Sequence, residues 1–477
     1  MSGSRPTGTR CRRYLAPYNV ASCHGTEHPR SKYALNKNCT ELSGGWGGIR
    51  THEDLAALPL FESGALNRTM RPIHAGEFYH CLHFKVILER LQLQHFRNYN
   101  RLDLTVHPGS TLLYGANGAG KTNILEAIFT LATTKSFRAR NDREMIDRRL
   151  NPDEVPFPFA RLQADAIEAS RAVRVEILIA LGEGSRSDNG GSARKQFRLN
   201  GAARRASDVV GQLKAVLFSP ADVDIVSGSP SARRRYLDIM LCQVDHSYLR
   251  QLQSYNRIVQ QRNGVLSRIP IRSRASVLEF WDEKLLSSGS EIMLRRIAMM
   301  DRLSIFVRDM YRELAGGIEE LEIAYSPNVV DVVGTSEPGS AVSDDSITAS
   351  FRRMLESEAR RSSESRVTTV GPHRDDLSLT VDGSPLQAFG SRGQHRTAAL
   401  ALRMAEARYI FDQTGEQPIL LLDEALGELD DARRDHLLRF VRDYPQVMLT
   451  GTSADAVPLE FKNGAKLVHV ESGTITE

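Results

Sequence analysis

The stretch Gly115-Ala116-Asn117-Gly118-Ala119-Gly120-Lys121-Thr122 constrains this chain more than any other. It fits the pattern G-x-x-x-x-G-K-[ST]. The apolar Thr111-Leu112-Leu113-Tyr114 ahead of it suits a short buried strand, and Ile124, Leu125, Ala127, Ile128 and Leu131 behind it recur at helical spacing. Glycines let the backbone curl so that several N–H groups converge on phosphate oxygens, and a helix N-terminus adds donors and partial positive charge. Gly115 to Thr122 are therefore expected to cradle ATP. Lys121 would reach the β- and γ-phosphates, and Thr122 would offer its hydroxyl to Mg²⁺.

A second half of such a site lies far downstream. Pro418-Ile419-Leu420-Leu421-Leu422 ends in Asp423-Glu424, an apolar run of the kind a buried parallel strand shows. This is the Walker B pattern. Asp423 is expected to hold Mg²⁺ beside Thr122, and Glu424 to orient or deprotonate the attacking water. Ser391-Arg392-Gly393-Gln394 opens a long Ala- and Leu-rich helical pattern, and Ser391, Gly393 and Gln394 make a second phosphate-binding corner. Gly427-Glu428-Leu429-Asp430 reads as a turn like the ABC-type D-loop. In Gln446 to Ser453, a strand with a polar end, Thr450, Thr452 or Ser453 stands where a γ-phosphate sensor belongs.

Between the two halves the pattern changes from strands to helices. Helical periodicity starts at Ser231 and continues through His246–Leu266, Val277–Leu314 and Ile347–Arg361. The fold class expected is α/β: an ABC-type P-loop ATPase head, residues 84–222 and 365–477, with an inserted helical arm over 223–364. Val86, Leu88, Leu91 and Leu93 suggest strands around a charged turn, and His95-Phe96-Arg97-Asn98-Tyr99 leads into an alternating strand. Arg97 and Asn98 either touch the nucleotide or shape the turn. Gly182–Gly191 reads as a turn and Gly334–Ser346 as a flexible loop.

Residues 1–83 lack sustained periodicity. They read as an extension that is either disordered or lies upstream of a functional start near Met70 or later. Four of the five cysteines fall there, and Cys23-His24 with His28 has no accompanying C-x-x-C, so the spacing does not predict zinc. No run is long enough to span a membrane, which leaves the cytoplasm as the expected location. Lys plus Arg number 62 against 58 Asp plus Glu, so net charge alone does not point to nucleic acid. Any such case rests on local charge: Arg138, Arg140 and Arg233-Arg234-Arg235 are candidates for a DNA-facing surface, with a solvated helix face making intrahelical pairs the alternative for the Arg233–Arg235 run.

The order Phe96-Arg97-Asn98-Tyr99, P-loop, helical insertion, Gly371-Pro372-His373-Arg374-Asp375-Asp376, Ser391-x-Gly393-Gln394, then Asp423-Glu424 with Glu428-Leu429-Asp430 resembles the bacterial RecF family, relatives of the Rad50 and SMC heads. The Ser219-Pro220-Ala221-Asp222 corner resembles it too. The resemblance covers Val86 to the C-terminus, and the Gly371–Asp376 hexad is its most specific marker. It implies a weak, DNA-dependent ATPase of replication and recombinational repair within the DNA-damage response. It further implies an ATP-induced homodimer, with nucleotide held between one P-loop and the other copy's Ser391–Gln394. That dimer would bind single- and double-stranded DNA at gap junctions, with RecO- and RecR-like partners, and help load recombinase. His95, Arg392 and Gly427 depart from the family pattern. Another DNA-tethering ATPase of the Rad50 and SMC group is the alternative, but such chains separate the two halves by a long coiled coil, and no sustained heptads occur here.

Overall fold

The computed structural model describes residues 84–150, 157–168, 171–181, 193–329, 344–427 and 429–476. All of the described residues fall within one compact unit. The readings made of 1–83, Gly182–Gly191, most of Gly334–Ser346, and Glu428 lie outside the described residues.

The strands, in chain order, are β1 (Phe84–Phe96), β2 (Tyr99–Thr105), β3 (Gly109–Tyr114), β4 (Phe159–Glu168), β5 (Arg171–Leu181), β6 (Ala193–Leu199), β7 (Ala202–Arg204) and β8 (Ala215–Phe218). After the helical region come β9 (Leu321–Ser326), β10 (Asp376–Val381), β11 (Ser384–Pro385), β12 (Glu416–Gln417), β13 (Ile419–Leu422), β14 (Gln446–Gly451), β15 (Ala465–Glu471) and β16 (Thr474–Thr476). The main helices are α1 (Lys121–Thr133), α2 (Pro230–Val244), α3 (His246–Arg268), α4 (Ala275–Leu314), α5 (Asp344–Ser357), α6 (Arg392–Thr414) and α7 (Asp431–Arg442).

The central sheet runs β16-β15-β3-β14-β13-β8 and is parallel except for β16. Its strands are continuous apolar runs because both faces are covered. Leu112, Val216, Leu420 and Leu449 face the helical core, while Leu113, Leu217, Leu421 and Met448 face the core around α1. A second, largely antiparallel sheet, β12-β1-β4-β5-β6-β7 with β2 on the other side of β1, closes over that second core.

β1 is one strand of 13 residues, not the two strands around a charged turn that its sequence suggests. The register shifts between Leu88 and Arg90, so Glu89 forms a bulge rather than a turn. The buried side chain of Gln446 stands in for a strand there. Its amide accepts from the Leu88 N–H at 2.9 Å and donates to the Leu88 carbonyl at 2.8 Å. A one-residue kink in β1 is thereby tolerated without orphaned backbone groups.

In the helical region α4 is 40 residues long, about 60 Å at the α-helical rise. It packs against α3, α5, β9 and α6. The Gly371–Asp376 hexad joins this region to the head. Arg296, 1% exposed, donates to Asp238 (2.7 Å), to Asp375 (3.2 Å) and to the Pro372 carbonyl (2.8 Å). Asp375 also accepts from the Tyr325 hydroxyl and from Asn328 N–H. Asp376 takes a bidentate pair from Arg233 at 2.6 and 2.9 Å. Arg233 is thus buried in an ion pair and is not available to DNA. The Ser219–Asp222 corner is structural in the same way. Asp222 accepts from Arg403 of α6 at 2.6 Å, tying β8's end to that helix.

His373 shows how tightly the hexad is held. Its Nε2 lies 3.0 Å from the Thr368 carbonyl, which only accepts, so Nε2 carries the proton and Nδ1 accepts from the Tyr255 hydroxyl at 2.7 Å. Burial, with Arg374, Arg234 and Arg262 nearby, pushes its pKa down to about 4. The imidazole is therefore neutral when folded but protonates near 6.5 when unfolded. Its stabilising contribution is complete above 6.5 and is lost as pH falls toward 4, with a slope near 1.4 kcal/mol per pH unit, about 3 kcal/mol in total. Chemical denaturation between pH 7 and pH 4.5 is expected to show this loss, and H373Q to flatten it; a wild-type slope in H373Q would refute the assignment.

Candidate nucleotide site

Three loops meet at the C-terminal edge of the parallel sheet. β3 delivers the P-loop and β13 delivers Asp423 and Glu424. β14 lies between them and delivers Thr450. Gly120 at the start of α1 has φ +121°, and no side chain caps that helix. The first amides of α1 are left for a ligand. A Cβ on Gly120 would come within 2.7 Å of Asn98 and 2.8 Å of the Tyr99 hydroxyl, and one on Gly115 within 2.1 Å of the Val470 carbonyl. Both positions therefore need glycine for close approach as well as for conformation.

Thr122 Oγ1 donates to Asp423 Oδ1 at 2.7 Å, across 301 residues of sequence. Thr450 Oγ1 donates to the same oxygen at 3.0 Å and accepts from the Glu424 N–H at 2.9 Å. Of the three sensor candidates, Thr450 is the one built into the site; Thr452 and Ser453 are exposed beyond it. Desolvation raises the Asp423 pKa, with the Thr122 and Thr450 hydroxyls opposing. Such a part-buried oxygen set, the Asp423 carboxylate and the Thr122 hydroxyl, is the hard donor chemistry that Mg²⁺ prefers. Glu424 is exposed and sits at φ +52°, a left-handed conformation that costs a side chain of its type on the order of 1 kcal/mol.

The Lys121 ammonium is buried. It donates to the Gly115 carbonyl at 2.8 Å and the Ala116 carbonyl at 3.0 Å. Burial lowers its pKa, and Glu424 and Asp423 counter the shift. The lysine thus lies folded along the P-loop, where phosphate oxygens would replace the two carbonyls.

Arg97 and Asn98 support the loop from behind. The Arg97 guanidinium clamps Glu126 of α1 at 2.6 and 2.9 Å. Asn98 donates to the Ala119 carbonyl at 2.8 Å and accepts from Asn123 at 2.8 Å, and Tyr99 donates to the Gly120 carbonyl at 3.1 Å. His95 and Arg97 both have positive φ, 52° and 55°, a left-handed conformation uncommon for residues other than glycine. Sequence reasoning missed Glu126, a lone acid on an otherwise apolar helix stripe, and that isolation was the available signal.

Ser391 caps α6, its hydroxyl accepting from Gln394 N–H at 3.1 Å while Gln394 Oε1 accepts from Ser391 N–H at 2.8 Å. The Gln394 amide also donates to Glu319 at 3.0 Å. Among the described residues no hydrogen bond joins Ser391, Gly393 or Gln394 to the chain's own P-loop; Gly393 is exposed and open. Arg138 turns toward the nucleotide site rather than away from it. It reaches Asn123 at 3.3 Å, and its charge pulls down on the Asp423 pKa.

A family profile described as RecF/RecN/SMC N terminal domain matches residues 87–475. The DNA replication and repair protein RecF of Roseiflexus castenholzii is 40% identical over 390 residues, covering 80% of this chain and 98% of its own length. The chain belongs to the RecF family. The RecF of Geobacillus kaustophilus is 37% identical, with 82% and 99% covered. A solved structure of RecF with ATP, described as a recombination mediator in the RecFOR pathway, superposes with a TM-score of 0.72 at 28% identity, over 83% of this chain and 99% of that one. Membership in the RecF family makes this an ATP-binding protein of DNA replication and repair, built on an ABC-type ATPase head.

The Thr450 hydroxyl is the testable link in this geometry. T450V removes one donor from Asp423 and leaves the Glu424 N–H unsatisfied, a loss of about 1–3 kcal/mol. ATP turnover is expected to fall tenfold or more, with ATP affinity within threefold of wild type. Unchanged turnover would show that Thr450 does not position the acids.

Proposed function

We propose that ATP joins two copies of this chain around DNA at single-strand gaps, and that slow hydrolysis releases them. The observation that carries the reading is the 2.7 Å contact between Thr122 and Asp423, which completes a triphosphate site on one side only. Ser391, Gly393 and Gln394 form a second donor corner with no partner on the same chain's P-loop. A second copy would bring that corner to the γ-phosphate.

The residues then have distinct roles. The Gly115–Gly120 amides and Lys121 hold the triphosphate. Thr122 and Asp423 would hold Mg²⁺, which supplies charge neutralisation at the β- and γ-phosphate oxygens. Glu424, presented by its left-handed backbone and the Thr450 contact, orients and deprotonates the attacking water. Arg138 lies close enough to add positive charge on the same side. Arg140, exposed at the edge of the same loop, and Arg234 remain as cations for DNA; Arg233 does not.

The RecFOR association of the solved relatives supports RecO- and RecR-like partners for this chain. No described helix is long and apolar enough to cross a membrane, which is compatible with a cytoplasmic site of action. The long helix α4 packs back on α3 and α6 instead of extending, which favours a clamp over a long tether.

E424Q should trap the ATP-bound state. Light scattering of this full-length variant is expected to give twice the monomer mass with Mg-ATP, and to keep it on gapped duplex DNA. Adding S391R should return the mass to that of a monomer without loss of ATP binding. A monomer under every condition would overturn the switch and leave an ATP-binding head that acts alone.

A further inference from the structure

A cavity of about 440 Å³ lies where α1's C-terminal end meets α2, α3 and α4. It sits at the opposite end of α1 from the P-loop, roughly 20 Å away by helical rise. Its volume falls within the range of pockets that take small organic ligands.

The lining divides by chemistry. Val210, Ile239, Leu249, Leu252 and Ile292 provide apolar wall, and burial pushes the Cys242 thiol up to about 12, so it too is neutral. Lys135, Arg234 and Arg235 provide positive charge. The one acid of the lining, Asp238, is already taken by Arg296 and the Tyr248 hydroxyl. Arg235 has no carboxylate partner among the described residues: its guanidinium rests on the Ser136 carbonyl at 2.7 Å, and desolvation depresses its pKa. Arg234 also rests on a carbonyl, that of Asp375 at 2.6 Å, but the Asp375, Asp376 and Asp238 carboxylates compensate its charge, which leaves Lys135 and Arg235 as the cations open to a ligand. The Lys135 ammonium has neither an ion pair nor a hydrogen bond among the described residues. Gln253, half-buried in the wall, likewise has an amide without a hydrogen-bond partner among them.

Uncompensated cations beside an apolar pocket, with a free amide in its wall, define an amphipathic anion. We propose that this cavity binds a small organic phosphate of nucleotide size, its phosphate on Lys135 and Arg235 and its body against Ile239, Leu249 and Leu252. Two converging cations suit a doubly charged phosphate better than a single carboxylate. Gln253 would read the polar edge of the body. The ligand would touch α1 of the head together with α2 and α3 of the arm, so its occupancy would fix one against the other.

The test is calorimetry on the full chain, its P-loop first saturated with a slowly hydrolysed Mg-ATP analogue, with adenosine monophosphate and inorganic phosphate as separate probes. One saturable site for adenosine monophosphate is expected, with weaker binding of phosphate, which lacks the apolar body. R235A and K135A should each weaken adenosine monophosphate at least tenfold, and R235K less than R235A. Unchanged affinity for the ATP analogue in each variant shows that the fold is intact. No binding at millimolar probe, or binding indifferent to both substitutions, overturns the proposal. So does a result in which the substitutions weaken duplex DNA binding and leave adenosine monophosphate untouched, since the cations would then serve DNA. Phosphate binding as tight as adenosine monophosphate would overturn the assignment of the apolar wall.

Discussion

One hydrogen bond closes the candidate nucleotide site, from the Thr122 hydroxyl to the Asp423 carboxylate. Everything around it serves to hold these two groups together. Thr450 steadies the carboxylate from the intervening strand. Arg97 and the fully buried Glu126 fix the helix that carries Thr122. A buried ion pair of this kind contributes little net stability, but removing one partner strands a charge and costs several kcal/mol. Its value lies in setting the position of α1 relative to the turn at Arg97.

Much of the head was legible because its signals are local. Glycine spacing, apolar runs and 3.6-residue periodicity each report on neighbours in sequence, and they placed the P-loop, the Asp423 strand and the long helices. The Asp382-Gly383 turn between β10 and β11 is local in the same sense: both residues adopt positive φ, 48° and 76°. The bulge in β1 was not legible, because what stabilises it is Gln446, 358 residues away. Arg233-Arg234-Arg235 misled for a different reason. Three adjacent cations read as one patch, yet in a helix they point in three directions. Arg233 shares its face with Leu237 and Met240, all buried, and that spacing was available in the sequence.

The hexad illustrates a marker whose meaning needs three dimensions. Nothing in Gly371 to Asp376 resembles a ligand site. Its residues instead meet Tyr255 of α3, Arg296 of α4 and Arg233 of α2. The arm also reaches the Ser391–Gln394 corner directly, since Glu319 accepts from both Tyr311 of α4 and Gln394 of α6. A movement of α4 is therefore felt at the donor corner without passing through the sheet.

The strand order carries a consequence for synthesis. Among the described residues β3, which ends in the P-loop, pairs with β14 and β15, and both come far downstream of it in the sequence. A chain still emerging from the ribosome has Lys121 and Thr122 but neither the strands that support them nor Asp423. Such non-local pairing delays folding of the central sheet. ATP capture at this site must therefore wait until β13 and β14 have been made, long after the P-loop itself has left the ribosome.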